Sequence, residues 1–339
     1  MELIGPMLDQ APTFTSEEAL TVAKERYDLD CTAKELPSER DQNFLLTTES
    51  GERFILKIAN GLEQRQLLEA QNDAMTHLAS RLSFCPRVIL SQSGEALVKV
   101  ETSTSEHFVR LVTFINGEPL AEVEPTPRLL FNFGRRLGEF SRAISDFDHP
   151  AFHRNFHWDL ASGRKVIDEY SPLITDKELR GQVERCSAFF PDTHIQFALI
   201  HGDANDYNVL VKGEDIIGLI DFGDMIYSYR VGELAIALAY IVLGKANPLE
   251  TAKTLVGGYL SENQLSKDEI KLVWPLMLMR LAMSICLAAH QRQQKPDNEY
   301  LDVSQSAIRA SLPRLLAIDS SLPSEAFLSA DYTDYADFL

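Results

Sequence analysis

Three polar side chains stand between short apolar runs in the segment from Leu199 to Asp224. Asp203 is followed by Asn208 five residues later and by Asp221 thirteen residues after that. If the apolar runs are strands of a hairpin, the three side chains fall at loop ends and meet at one place. One carboxylate there can orient a hydroxyl and accept its proton, and the amide with the second carboxylate can hold Mg²⁺. The pattern predicts phosphoryl transfer, with Asp203 as the base and Asn208 and Asp221 as metal ligands.

The same stretch resembles a known superfamily. Residues 201–208 read HGDANDYN, similar to the catalytic loop HGDxxxxN of the aminoglycoside phosphotransferase, choline kinase and homoserine kinase superfamily. Residues 220–224 read IDFGD and resemble its metal-binding segment. The resemblance implies a protein-kinase-like α+β fold, ATP or GTP as phosphate donor and Mg²⁺ as cofactor. A polar hairpin with capping aspartates is the alternative, which two ordered motifs at this separation disfavour.

Further segments resemble the hydroxylysine kinase branch, which also contains kinase-like domains fused to class III aminotransferases. They span the chain from about Glu39 to about Leu316 and read RDQNF, ANDYNVLV, LIDFGDMIYSY, ELAIALAY and PDNEYLDVS. The branch implies a small hydroxylated acceptor, either an amino-alcohol or a hydroxy-amino acid.

Contacts to such an acceptor are predicted from charge. An amine needs carboxylates, and the candidates near the motifs are Asp206, Asp224 and Asp159. An acceptor carboxylate needs a cation, for which Arg280 in an apolar helix is the candidate. The alternative for Arg280 is a structural pair, the commoner state of a buried arginine.

Upstream, residues 54–58 read FILKI, a strand with one lysine, Lys57. The resemblance implies that this lysine binds the nucleotide's α and β phosphates and pairs with a glutamate of the next helix. That helix offers Glu69 as the candidate, although the position of the family's glutamate falls on Gln71. Glu69 and Gln71 are about 200° apart around a helix and so lie on different faces.

Two other segments are assigned to the nucleotide. Residues 36–44 stand where a protein kinase has its glycine-rich loop, but they contain no glycine. The resemblance implies a polar loop at this place, with backbone amides and Ser38 as the candidate phosphate contacts and an ordinary polar turn as the alternative. Residues 108–117 resemble the hinge, where backbone groups near Thr113 and Ile115 are predicted to bind the purine.

The pattern of apolar residues predicts the architecture. Residues 1–115 are expected to form a small sheet-rich N-lobe, and residues 116–339 a larger, mostly helical C-lobe. Within the first part, the segments 43–48 and 53–59 are predicted to form a hairpin that turns at Gly51. His201 and the segment Gly232-Glu233-Leu234-Ala235, which resembles the family's D-L-A helix start, are expected to brace the catalytic loop.

Bulk properties exclude several functions. Fifty acidic and 32 basic side chains give a net charge of −18, which disfavours binding to nucleic acid or anionic membranes. Residues 272–289 are apolar enough to cross a bilayer, but Pro275 and Arg280 favour a buried helix. Four cysteines without a CxxC pair argue against a zinc site and predict reduced thiols in a cytoplasmic protein.

Two other functions are weighed against a small-molecule kinase. A protein Ser/Thr kinase needs an activation segment, and the stretch from Asp224 to Gly232 is short for one. A non-catalytic pseudokinase would explain the missing glycines but not the presence of Lys57, Asp203 and Asn208. The sequence leaves open the acceptor, the choice between ATP and GTP, the oligomeric state and the role of the acidic tail, residues 320–339.

Overall fold

A computed structural model describes residues 10–38, 40–101, 106–188, 195–294 and 304–330. Two compact units are present. The N-terminal unit runs to Asn116 and includes His149–Phe152, and the C-terminal unit comprises Gly117–Asp148 and the chain from His153 onward. The first is built on an antiparallel sheet and the second is mostly helical. The predicted α+β architecture, with a sheet-rich N-terminal part and a larger, mostly helical C-terminal part, is confirmed.

The described residues of the N-terminal unit form one sheet and two α-helices. Its strands follow the order β1-β2-β3-β6-β4, with β5 also paired to β6, and the pairs are antiparallel. The predicted hairpin is β2–β3, in which Gly51 adopts φ 84° in the turn. The elements are α1 (Ser16–Tyr27), β1 (Cys31–Leu36), β2 (Gln42–Thr48), β3 (Arg53–Ile58), α2 (Arg65–Ala79), β4 (Val88–Ile89), β5 (Val98–Glu101) and β6 (Glu106–Thr113).

The two faces of this sheet have different character. One face packs on α1 and forms a hydrophobic core that includes Leu56 and Leu111. Because side chains alternate along a strand, the cross-strand pair Lys57 and Arg110 lies on the opposite face. There the Arg110 guanidinium donates to the side-chain oxygen of Asn72 in α2 at 3.1 Å. Lys57 therefore lies on the face of the sheet that α2 covers.

The C-terminal unit contains two small sheets among helices. One sheet has the order β10-β9-β7, and the other pairs β8 with β11. The elements are β7 (Glu118–Pro119), α3 (Pro127–Ile144), α4 (Gly163–Tyr170), α5 (Lys177–Ala188), β8 (Phe197–Ile200), β9 (Val209–Lys212), β10 (Asp215–Leu219), β11 (Ile226–Tyr229), α6 (Gly232–Ile241), α7 (Pro248–Glu262), α8 (Lys267–Gln294), α9 (Gln305–Leu316) and α10 (Ser321–Leu328).

Helix α8 is the long apolar segment of the chain. By length and composition it could cross a membrane, but 89% of its apolar window is buried inside the protein. Its buried polar side chains have protein partners, such as Glu269 with Arg230 at 2.6 Å. These are properties of a core helix, as predicted. The four cysteines are free, and three of them are buried.

The acidic tail is described in part. Residues 321–328 form α10, whose Phe327 is fully buried and lies near the Trp274 ring of α8. The rest of the predicted tail, residues 331–339, lies outside the described residues.

Candidate active site

The predicted hairpin is formed by β9 and β10, which pair antiparallel. At its open end the Ile220 N–H donates to the Asn208 carbonyl at 2.9 Å, and Asp221 follows directly. Strand β8 pairs with β11, which the sequence did not predict, and it ends immediately before the loop that carries Asp203. Two short sheets thus position the three residues that the sequence predicted, Asp203, Asn208 and Asp221.

Asp203 and Asn208 are in direct contact, as the five-residue spacing predicted. The Asn208 amide nitrogen donates to the Asp203 carbonyl at 2.9 Å and to its carboxylate Oδ2 at 2.8 Å. The other carboxylate oxygen, Oδ1, accepts from the Arg280 guanidinium at 2.9 Å. Both oxygens of Asp203 therefore have donors, while its side chain stays 22% exposed.

The arrangement fits a divalent cation. Because the Asn208 amide nitrogen is committed to Asp203, its oxygen is the side of the amide that can coordinate a metal. Asp221 supplies an exposed carboxylate and has φ 64°, an uncommon conformation for a residue with a side chain. Within the described ranges, no three His, Cys, Asp or Glu side chains group as a metal site. A cation held by one carboxylate and one amide would take its remaining ligands from nucleotide phosphates.

Electrostatics at Asp203 favour its neutral form. Burial, and next the negative charge of Asp224, raise the pKa of Asp203 to about 7. The positive charge of Arg280 acts in the opposite direction, and Asp221 again raises the pKa. A carboxyl group with a pKa near neutrality is suited to accept a proton.

The loop before Asp203 is held from two sides, as predicted for His201 and Glu233. His201 is fully buried; its Nε2–H donates to the Ile220 carbonyl at 3.1 Å and its Nδ1 accepts from the Asp203 N–H at 3.3 Å. The His201 N–H donates to the Glu233 carboxyl at 2.5 Å. Burial raises the pKa of Glu233 to about 8 against the opposing effect of this hydrogen bond. The two residues fix the backbone beside Asp203.

Glycine is required between His201 and Asp203. Gly202 adopts φ 79°, and a Cβ at this position would lie 2.5 Å from the Asp224 carbonyl oxygen. The catalytic loop and the metal-binding segment therefore approach each other more closely than any side chain would allow.

Arg154 was missed by the sequence analysis. Its guanidinium donates to the carbonyls of Gly223 and Met225 at 3.1 and 3.2 Å and lies over the Phe156 ring at 4.4 Å. It therefore holds the turn that follows Asp221. No spacing rule predicts this contact, because 69 residues separate Arg154 from Gly223.

The four residues that were predicted to contact the acceptor lie in different surroundings. Asp224 is buried, with 8% exposure, and its charge acts on Asp203. Asp206 is half-buried, and burial raises its pKa. Asp159 is buried; it accepts from the Ser228 hydroxyl and from the Ala161 N–H, and burial raises its pKa. Arg280 is committed to Asp203, so its contact to an acceptor carboxylate is not supported by its position.

In the N-terminal unit, Glu69 is not on the buried face of α2. Its carboxylate accepts from the Arg65 guanidinium at 2.8 Å and is 43% exposed. Gln71, the alternative position, is 1% exposed. A pairing of Lys57 with Glu69 stays a prediction.

The remaining nucleotide candidates lie at strand ends. Ser38 is exposed in the segment between β1 and β2, where Glu39 is outside the described residues. The Thr113 N–H donates to the Arg87 carbonyl, and its hydroxyl accepts from the Arg87 N–H, both at 2.9 Å. Half-buried Ile115 follows in the segment between β6 and β7. The hinge contact through backbone groups near Thr113 and Ile115 stays a prediction.

Comparisons with known proteins identify the family of the chain. The family profile described as "Phosphotransferase enzyme family" matches residues 32–269. The chain is 28% identical over 328 residues to the hydroxylysine kinase of Mus musculus, covering 86% of this chain and 87% of that protein.

Two solved structures share the fold at low identity. An amicoumacin kinase in complex with AMP-PNP and Ca²⁺ has a TM-score of 0.70 at 15% identity, with 91% of this chain and 97% of that chain covered. A microcompartment-associated aminopropanol kinase has a TM-score of 0.66 at 16% identity, with 93% and 98% covered. Because the family profile matches most of its length, the chain belongs to the phosphotransferase enzyme family and is a kinase whose acceptor is an alcohol group.

Proposed function

We propose that this kinase transfers the terminal phosphate of ATP or GTP to the hydroxyl of a small hydroxylated amine, either an amino-alcohol or a hydroxy-amino acid. The observation that carries the proposal is the Asp203 carboxylate, which is held between Arg280 and Asn208 at 2.9 and 2.8 Å. The mouse relative is named for hydroxylysine and one structural neighbour for aminopropanol. Both names describe molecules with an amine and a hydroxyl.

Asp203 is assigned as the base. Its partly exposed carboxylate orients the acceptor hydroxyl toward the phosphate and takes up the hydroxyl proton. The new O–P bond forms as the bond from that phosphorus to the leaving oxygen of the nucleotide breaks, which releases the nucleoside diphosphate. Positioning supplies most of the rate in such a reaction, because the transferred group has a loose transition state. A carboxylate with both oxygens restrained is well suited to that role.

Asn208 and Asp221 would hold Mg²⁺, through the amide oxygen and the carboxylate. When bound, the cation neutralises negative charge on the phosphates. Asn208 also donates to Asp203, so the same side chain links the metal position to the base. A neutral amide there limits repulsion between the protein and an anionic nucleotide.

Residues of the N-terminal unit are assigned to the nucleotide. Lys57 would bind the α and β phosphates, Ser38 and nearby amides the outer phosphates, and the backbone near Thr113 and Ile115 the purine. Glu69 remains the candidate partner of Lys57.

The amine of the acceptor is assigned to carboxylates of the C-terminal unit. Asp206 and Asp224 lie in the two motifs, and Asp159 belongs to the segment that precedes α4. An overall charge of −18 attracts a cationic acceptor over a distance. A cytoplasmic location accompanies the proposal, since the cysteines are free.

A screen of acceptors tests the function. Hydroxylated amines with and without a carboxylate are offered with Mg²⁺ and either ATP or GTP, and phosphate incorporation is measured with and without a chelator. Turnover is expected for at least one acceptor, and the chelator should abolish it. Binding of nucleotide without turnover across the panel would favour a pseudokinase, and phosphorylation of a peptide library alone would favour a protein kinase.

A further inference from the structure

Arg280 is a buried charged side chain that contacts the site from α8. It lies within α8 and is 2% exposed. Its Nε donates to the Tyr240 hydroxyl at 3.3 Å, and its two terminal nitrogens donate to the Trp158 carbonyl at 3.1 Å and to Asp203 Oδ1 at 2.9 Å. The guanidinium carbon lies 4.2 Å from the centroid of the Trp158 ring. Each nitrogen and one face of the guanidinium therefore have a partner.

A second arginine of the same unit shows what an ordinary structural pair looks like. Arg230 binds Glu269 through two hydrogen bonds, at 3.0 and 2.6 Å. Both carboxylate oxygens of Glu269 are used by that arginine, as in a bidentate pair. Arg280 instead takes a single oxygen of its carboxylate, and the other oxygen goes to Asn208. The hydrogen bond from Arg280 therefore fixes the direction of the Asp203 carboxylate and leaves its second oxygen for Asn208.

The charges around Asp203 explain why it needs such a restraint. The negative charges of Asp224 and Asp221 both act on Asp203, and mutual repulsion would turn the carboxylate away from them. Other polar groups facing this region are the buried Glu233, the Tyr240 hydroxyl and His201. Among the described groups that act on Asp203, Arg280 is the cation, and its charge opposes that of the aspartates.

Because Arg280 is 2% exposed, an acceptor carboxylate could approach its guanidinium only if one of the neighbouring groups moved away. Displacement of Asp203 would remove the base from its position, and the Trp158 and Tyr240 contacts are formed by residues of the surrounding protein. We infer that Arg280 is a positioning residue, which holds the Asp203 carboxylate in line for the acceptor hydroxyl and does not bind the acceptor's own carboxylate. The inference rests on the proposed function and assigns a role within the same site.

The kinetic test compares Arg280→Ala with Arg230→Ala. Two acceptors are used, a hydroxy-amino acid and the amino-alcohol that lacks its carboxylate. Arg280→Ala should lower kcat about 100-fold with both acceptors and leave their KM values within about threefold. Arg230→Ala should lower the melting temperature with kcat unchanged. A KM that rises more than about tenfold for the carboxylate-bearing acceptor alone would overturn the inference.

Rescue of activity by added guanidinium distinguishes a positioning role of Arg280 from a general loss of structure. Added guanidinium should restore part of kcat to Arg280→Ala and none to Asp203→Asn, since it can occupy the vacated position only where Asp203 remains. Should Arg280→Ala fail to fold, Tyr240→Phe removes one hydrogen bond and keeps the ring; it should lower kcat about threefold without changing acceptor KM. An unchanged kcat in Tyr240→Phe, or a lack of rescue in folded Arg280→Ala, would count against the inference.

A structural experiment tests the same inference without any acceptor. Crystal structures of wild type and Arg280→Ala, or Tyr240→Phe, are compared for the Asp203 carboxylate. We expect Oδ2 to leave Asn208 in the variant, and an unmoved carboxylate would overturn the inference. If wild type phosphorylates none of the acceptors, the proposed function fails, and this arm still decides the role of Arg280.

Discussion

In the C-terminal unit, Asp203 is held by Arg280 and Asn208 through side-chain hydrogen bonds, and its loop by His201 and Glu233. In the N-terminal unit, Lys57 stands on a regular strand, and the other nucleotide candidates there are largely backbone groups. The first region depends on particular side chains and the second on strand geometry. Substitutions should therefore cost more in the C-terminal unit, where no backbone group can replace a missing carboxylate.

The largest loss of activity is expected from substitution of Asp203, the proposed base. Asp203→Asn keeps the shape of the side chain but removes the proton acceptor, so kcat should fall about 1,000-fold while the KM for ATP stays within about twofold. Asp215→Asn, an exposed aspartate of the same hairpin, is the control and should behave as wild type. Steady-state phosphorylation measures both. A variant that kept more than about a tenth of wild-type kcat would remove Asp203 from the reaction.

A smaller loss of activity is expected from substitution of Lys57 in the N-terminal unit. Lys57→Met should lower kcat/KM for ATP about 100-fold, because a charged contact to the phosphates is lost while backbone contacts remain. Lys34→Met, exposed on β1 of the same sheet, is the matched control. Equal losses in Lys57→Met and Asp203→Asn would break the contrast between the two units.

The buried acid beside the catalytic loop should appear in the pH dependence of stability. Glu233 keeps its proton in the folded state up to its pKa of about 8, whereas its ordinary value is 4.5. Between these values the folded state binds more protons than the unfolded chain, so the free energy of unfolding falls as pH rises. Glu233→Gln should flatten this decline by about 3 kcal/mol between pH 5 and pH 8, measured by denaturant unfolding.

The control for this comparison is Glu184→Gln, whose side chain is 57% exposed and should leave the slope unchanged. A slope in Glu233→Gln equal to that of wild type would show that Glu233 does not take up the proton. Asp203, with a pKa of about 7, adds a decline of the same sign in wild type and in both variants.

The smallest effect is expected at Glu69. Its carboxylate pairs with Arg65 at the surface, where an ion pair contributes little, so Glu69→Gln should change the KM for ATP less than about twofold. Gln71→Leu, at the buried position two residues later, is the comparison, and its KM for ATP is measured beside that of Glu69→Gln. A tenfold rise in KM for Glu69→Gln would instead assign Glu69 as the partner of Lys57.

Local patterns in the sequence determined the β9–β10 hairpin, the β2–β3 hairpin and the spacing of Asp203, Asn208 and Asp221. These features depend on residues a few positions apart, and strand alternation and turn chemistry fix their geometry without reference to the rest of the chain. The Asp203–Asn208 contact is of this kind, since a short loop brings the two side chains together.

Only the tertiary structure decided which distant side chains hold the site. Arg280 reaches Asp203 across 77 residues of sequence, Arg154 reaches Gly223 across 69, and Glu233 reaches His201 across 32. The sequence marked Arg280 only as a charge in an apolar helix, where a structural partner is commoner than an acceptor, and it did not identify that partner. A buried charge must be paired, but the fold determines which partner lies within reach, because that depends on how distant elements pack.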